Sequence, residues 1–270
     1  MTGRVLRRLS GTTVALTLLA TTASAQERTF EWSGRLTDGQ TLEVKGITGN
    51  IRAELASGGT AEVVAQKRGD RGDFDQVRIL VDEGGDGVTV CAVYGDHNFG
   101  RSSCDYNDDS DDRDGGRRHN SIDVDVEFVV RVPAGVDFAG TMVTGDVWAE
   151  GLRSDVTVRS VTGDVRVSTT GIARANTVTG EIDVEIGRMD WDHLSFKTVT
   201  GDITLRVPAD FDADVDFASL SGDLDSDFDI QVTRERRRWI GSQVRGTIGR
   251  GGRDLELNTV SGDVRLLRAG

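Results

Sequence analysis

Only two cysteines, Cys91 and Cys104, and three histidines, His97, His119 and His193, occur in the 270 residues of this chain. So few thiols exclude a disulfide-dense scaffold and leave room for one bridge. The scattered histidines offer no nucleophile, base and orienter set of the kind that acyl or phosphoryl transfer needs. Aromatic residues make up 6% of the chain, with four Trp and two Tyr, so stacking platforms for sugars or bases are scarce. No apolar run approaches the roughly 20 residues of a membrane-spanning helix. Positive charge is also in the minority: 32 Lys and Arg face 45 Asp and Glu, a net charge of −13, which makes nucleic acid a poor partner.

The N-terminus has a distinct character. Arg4, Arg7 and Arg8 precede an apolar stretch around Val14 to Ala20 and a small-residue Ala23-Ser24-Ala25 site. This is the pattern of a secretory signal peptide over residues 1–25. Its removal takes three Arg and no acid, leaving a mature chain near −16 by the same count. No cysteine for lipid attachment follows the site, so the expectation is an exported, periplasmic or extracellular protein, soluble once the signal is cleaved.

What the chain has in abundance is repetition. A phrase of an apolar residue, Ser or Thr, Gly, an acid or Asn, and a second apolar residue recurs seven times, centred on Gly49, Gly145, Gly163, Gly180, Gly201, Gly222 and Gly262. Seven residues before each glycine stand Leu42, Phe138, Val156, Ala173, Leu194, Val215 and Leu255. Two after stand Ile51, Val147, Val165, Ile182, Ile203, Leu224 and Val264, all apolar. Position four after the glycine is mostly apolar too, so each phrase continues as a short alternating strand. Alternation slips two residues before the glycine, where Val143, Val161 and their counterparts follow a position that is mostly Ser or Thr. The slip marks a corner, with glycine supplying a positive φ and the next Asp an Asx-type turn bond. Units that share one core only by stacking predict an all-β fold: a parallel β-solenoid, or β-helix, of short TGD-type repeats, right-handed by the usual rule for parallel crossovers.

Two stretches interrupt the period. Between Gly49 and Gly145, residues 61–67, 76–81, 88–94 and 121–132 read as strands, with a hairpin turn over 82–87. They predict an N-terminal β-strand cap, giving a division into 26–135 (cap, first repeat and a Cys-containing acidic insertion) and 136–270 (repeats). Between Gly222 and Gly262 an Arg-rich excursion at 231–253 holds Arg234, Arg236, Arg237, Arg238, Arg245, Arg250 and Arg253. One coil is expected to be degenerate or replaced there.

Together with the Trp32-Ser33-Gly34 opening, the Cys91-to-Tyr94 segment and the two Arg-Val-Pro-Ala exits at 131–134 and 206–209, these repeats resemble the bacterial DUF4097 family of exported, adhesin-like β-strand-repeat proteins. The resemblance implies a β-solenoid that takes part in surface interactions. It implies no reaction, cofactor or catalytic residue.

Several candidate sites remain. Export favours a Cys91–Cys104 disulfide; the rival is zinc held by Cys91, His97, Cys104 and His119, a chemically valid tetrahedral set at a nonstandard spacing. Residues 105–114 contain six Asp and one Asn, which suits Ca2+ in chemistry but not in the register of an EF-hand loop, so a solvated acidic loop is expected. Asn50, Asp146, Asp164, Glu181, Asp202, Asp223 and Asp263 form an acidic column, read either as a row of turn bonds or as a stripe for a divalent cation or cationic partner. Arg68-Gly69-Asp70 and Arg71-Gly72-Asp73 match the integrin tripeptide and read more simply as a polar turn. The Arg cluster at 234–238 meets either an anionic glycan or lipid surface or the protein's own acids.

Two function classes follow. One is a non-enzymatic binding or envelope-structural module with a protein or glycan partner. The other is a β-helix polysaccharide lyase or hydrolase working through paired carboxylates. Short coils and few aromatics favour the first. An open last strand at 260–267 adds an expectation of self-association through the C-terminal edge, unless the Arg-rich excursion folds back over it.

Overall fold

A computed structural model of the chain describes residues 28–69, 71–95, 104, 122–237 and 242–270. The signal segment and the acidic insertion over 105–114 lie outside the described residues. The first strands are β1 (Thr29–Arg35), β2 (Thr41–Thr48), β3 (Ile51–Leu55) and β4 (Thr60–Gly69). A 3-10 turn at Arg71–Gln76 leads to β5 (Val77–Gly84), β6 (Gly87–Tyr94) and β7 (Val124–Val132). The repeats supply β8 (Asp137–Thr144), β9 (Val147–Leu152), β10 (Val156–Thr162), β11 (Val165–Thr169), β12 (Ala173–Asn176), β13 (Ile182–Ile186), β14 (His193–Lys197) and β15 (Ile203–Val207). Last come β16 (Ala213–Ser219), β17 (Leu224–Ser226), β18 (Ile230–Arg237), β19 (Ser242–Ile248), β20 (Asp254–Asn258) and β21 (Val264–Arg268).

These strands form two large, mostly parallel sheets. The first has the order β1-β4-β7-β3-β9-β11-β13-β15-β21-β17, the second β18-β19-β16-β20-β14-β12-β10-β8-β2-β6-β5. In each repeat the strand before the glycine lies in the second sheet and the strand after it in the first. The inward columns meet between the sheets in one core, with Leu42, Phe138, Val156, Ala173 and Leu194 on one side and Ile51, Val147, Val165, Ile182 and Ile203 on the other. All ten are at most 1% exposed, so these columns are the source of the fold's stability at roughly 25 cal/mol per Å² of apolar surface removed from water.

Both ends of the stack depart from parallel pairing. At one end β4 adds antiparallel to β7 and β1 antiparallel to β4, and β5 adds antiparallel to β6. At the other, β19 pairs antiparallel with β16 and with β18. The segments 61–67, 76–81, 88–94 and 121–132 thus fall on β4, β5, β6 and β7, and the hairpin turn between β5 and β6 falls where the 82–87 segment places it.

The region between Gly222 and Gly262 follows the second of the two alternatives, a coil replaced by an excursion. The Arg-rich excursion forms β18 and β19, an antiparallel pair along the edge of the second sheet. Rungs do not follow chain order, because β21 is parallel to both β15 and β17, and β20 to both β14 and β16. The Gly262 rung thus lies between those of Gly201 and Gly222. The final strand is paired on both sides, so the expected C-terminal edge is not an edge, and self-association through it loses its structural basis. The end rung of the first sheet is β17, which pairs on one side only among the described residues and leaves Leu224 half-buried.

Candidate interaction surface

The corner where each chain passes from one sheet to the other carries the most regular chemistry. Gly180 shows why glycine recurs there: its φ is +148°, and a Cβ would stand 2.0 Å from the carbonyl oxygen of Gly163 one rung away. Both the dihedral and the close approach of neighbouring backbones exclude a side chain.

The acidic column is a hydrogen-bond ladder. Asn50 Oδ1 accepts the backbone N–H of Asp146 at 2.9 Å, Asp146 Oδ1 that of Asp164 at 2.8 Å, and Asp164 Oδ1 that of Glu181 at 2.9 Å. Asp202 Oδ1 serves Asp263 at 2.8 Å and Asp263 Oδ1 serves Asp223 at 2.9 Å. The carboxylates of Asp146, Asp164, Asp202 and Asp263 therefore each bind the backbone of a neighbouring rung, which accounts for most of a column of like charges at strand spacing.

Behind it runs a second ladder. Ser160, Thr177, Thr198, Thr259 and Ser219, three residues before each glycine, are buried. Their hydroxyls donate to the carbonyls of Gly145, Gly163, Gly180, Gly201 and Gly262 at 3.1–3.4 Å. Strand alternation does not slip at the corner, as the sequence suggests; polarity reverses instead. The inward position carries a hydroxyl and the outward one an aliphatic group.

The outcome is an exposed apolar ridge. Val143, Val161, Val178, Val199, Val260 and Leu220 are 43–52% exposed, and the strand pairs beside them run from Thr48 through Thr144, Thr162, Thr179, Thr200 and Ser261 to Ser221. The sequence shows the column, but its outward direction becomes visible only once the buried hydroxyls are placed.

The other predicted sites resolve individually. Cys91 and Cys104 form a disulfide with a Cα–Cα distance of 5.7 Å. The bond consumes both thiolates of the zinc set, so that set is not available to a metal; its histidines, His97 and His119, lie outside the described residues. Among the described residues no group of three or more His, Cys, Asp or Glu is placed to hold a metal ion. Asp73 of the second integrin-like tripeptide accepts from Gln76 Nε2 at 2.7 Å and from the N–H of Asp123 at 3.4 Å, so it ties the cap together. Asp70 lies outside the described residues.

Part of the Arg-rich excursion pairs with the protein's own acids. Arg245 binds Asp216 at 2.7 Å, and Arg250 binds Asp212 at 2.8 Å. Hydrogen bonds from the Arg250 backbone and side chain hold the Asp212 carboxyl below its usual range, and the Gly252 N–H and Thr247 hydroxyl do the same for Asp214. Lys197, with help from Ser195 and Asn258, depresses Glu256. Burial raises Asp137, against the opposing bond from the Asp155 N–H.

The aromatics divide sharply. Trp191 is buried, Trp32 Nε1 donates to Glu83 at 3.0 Å, and Tyr94 donates to the Thr48 carbonyl at 3.2 Å. Trp148 alone stands on the outer face of the first sheet among the described tryptophans with its ring against a cation, Arg52. Trp239 and Tyr106 lie outside the described residues.

Residues 134–267 match the family model for DUF4097, Toastrack. This segment is a DUF4097 domain. The match begins at the second rung and ends inside β21, so the first rung and the antiparallel cap stand before it. No curated protein matches the chain significantly. Among solved structures, the chain is similar to a "putative cell adhesion protein" from Clostridium sporogenes, at 8% identity and a TM-score of 0.42, covering 90% of this chain and 100% of that one. It is also similar to a "putative adhesin" from Bacteroides fragilis, at 12% identity and a TM-score of 0.38, covering 89% and 97%. No helix among the described residues is long and apolar enough to cross a membrane.

Proposed function

We propose that this DUF4097 protein is an exported, non-enzymatic, adhesin-like binding module, built as a right-handed β-solenoid and presenting its corner ridge to a partner in the cell envelope. The exposed Val and Leu ridge carries this reading. Six aliphatic side chains at strand spacing of about 4.8 Å form a continuous strip, and contiguous exposed apolar surface marks interaction sites on soluble proteins. Strand propensity does not require it, since Thr in the adjacent column serves β structure equally well. The partner's chemistry follows from the border of the ridge. Carboxylates of the corner ladder run alongside, so the fitting surface is a polypeptide with an apolar strip flanked by Lys or Arg. A disulfide suits an oxidising compartment and supports export.

The test is retention of the purified mature chain on envelope fractions of the producing bacterium. The triple variant V161S/V178S/V199S keeps the fold, because these side chains are outward, and is expected to lose retention. Wild-type retention by a folded triple variant sinks the ridge reading.

A further inference from the structure

Three positions after each corner glycine the side chain points outward from the first sheet. Arg166, Asp183, Thr204, Arg265 and Asp225 occupy this position in most rungs, and Trp148 is the single aromatic. The fold thus does not ask for a ring there. Its neighbour in register is Arg52, whose guanidinium carbon lies 4.9 Å from the indole centroid, within cation–π range. The same row continues across the cap, where Arg52 faces Val129 and Val129 faces Val64. These four residues floor a groove of about 500 Å³, bordered by Asn50, Glu127, Gln66 and Arg68.

The charges in this groove are largely uncommitted to ion pairs. On the same sheet Arg131, Arg166, Arg206 and Arg265 each pair with a carboxylate, of Glu54, Asp183, Asp183 and Asp202. Arg52 contacts the indole instead, and Arg68 Nη2 donates to Gln66 Oε1 at 3.3 Å. Two guanidiniums without a carboxylate partner among the described residues thus border one groove in a chain of net charge −13. Glu127 enters it as well, with both oxygens held by Asn50 Nδ2 at 3.1 and 3.2 Å. A carboxylate so placed keeps lone pairs for further donors.

A ligand that satisfies all of these groups offers an anion to Arg52 and Arg68, hydroxyl donors to Glu127 and an apolar ring face to Trp148. Inorganic phosphate or sulfate lacks the ring face, and a neutral sugar lacks the anion. A pyranose bearing a carboxylate combines the three on one ring. We propose that this groove binds an acidic saccharide of the hexuronic acid type by stacking on Trp148 and ion-pairing with Arg52 and Arg68. The site lies between cap and stack, away from the corner ridge, so it holds or fails independently of the ridge.

Titration calorimetry of the disulfide-intact mature chain tests it, with hyaluronan and polygalacturonate oligosaccharides as acidic probes and a chito-oligosaccharide of matched length as the neutral one. At least one acidic probe is expected to bind, more tightly than the neutral probe, and to weaken as salt rises. The substitutions W148A and R52Q/R68Q are each expected to reduce that affinity by about tenfold or more, while V161S/V178S/V199S leaves it unchanged. Should W148A fail to fold, as judged by its thermal transition, R52Q/R68Q decides alone. Binding of neither acidic probe, equal binding of the neutral one, or unchanged affinity in a folded W148A or R52Q/R68Q overturns the proposal.

Discussion

Asp164 accepts the backbone N–H of Glu181 on Oδ1 at 2.9 Å, whereas Glu181, one methylene longer, makes no matching bond to Asp202 among the described residues. The corner ladder is therefore broken at one step, between the rungs of Gly180 and Gly201. The substitution Glu181→Asp is expected to close it and add about 0.5–1.5 kcal/mol, the usual net worth of one hydrogen bond. Asp164→Ala should cost a similar amount. Urea unfolding midpoints of the two variants, at unchanged slope, provide the measurement.

Gly180→Ala should be far more damaging than either. The added Cβ meets the Gly163 carbonyl oxygen at 2.0 Å, and a φ of +148° is foreign to an L side chain. Gly58→Ala, where a Cβ meets nothing within 4 Å, is the control and should leave the melting temperature within about 1 °C. Equal melting temperatures for the two variants would refute the close-approach account.

Reducing the Cys91–Cys104 bridge should cost about 3 kcal/mol, as expected for a closed loop of this size. Intact mass of the protein, alkylated without reductant, should show both thiols protected. The loss of stability should appear only after reduction.

Acidification should act first at the β18–β19 end. The carboxyls of Asp212 and Asp214 are depressed in the fold from 3.8, and Glu256 from 4.5. Groups of this sign stabilise fully above their unfolded pKa and lose that contribution as pH falls through the folded one. Asp137, raised by burial, works in the opposite sense, its effect fading as pH rises above its unfolded value. The protection of the 242–254 amides, taken relative to their intrinsic exchange rates, is expected to fall before that of 156–186 as pH is lowered through the carboxylate range. Simultaneous loss of protection in both segments would argue against local anchoring by these acids.

Much of the fold is legible in the chain because stacking turns each requirement into a column. The glycines from Gly49 to Gly262, the inward Ile51-to-Val264 column and the alternating cap strands all follow from period and polarity. The direction of the Val143-to-Val260 column does not, since Ser160 and Thr177 read as surface residues until the carbonyls they bond are in place. Rung order is illegible for a deeper reason. Val264 suits a place beside Ile203 as well as Leu224 does, and identical columns carry no record of which neighbour wins. The Trp148 groove is hidden because its walls come from β1, β4, β7, β3 and β9, brought together only by the cap.

The inserted rung also sets the order in which the molecule can assemble. β15 and β17 never touch as partners; β21 separates them and bonds to both, just as β20 separates β14 from β16. A chain leaving the ribosome N-terminus first presents β16 to β19 before β20 and β21 exist. That segment has to wait, or dock provisionally, until the last strands slide into the slot. Closure of the sheet thus depends on contacts distant in sequence and formed late, which slows folding. It also makes the final rung the wedge that locks the earlier ones in place.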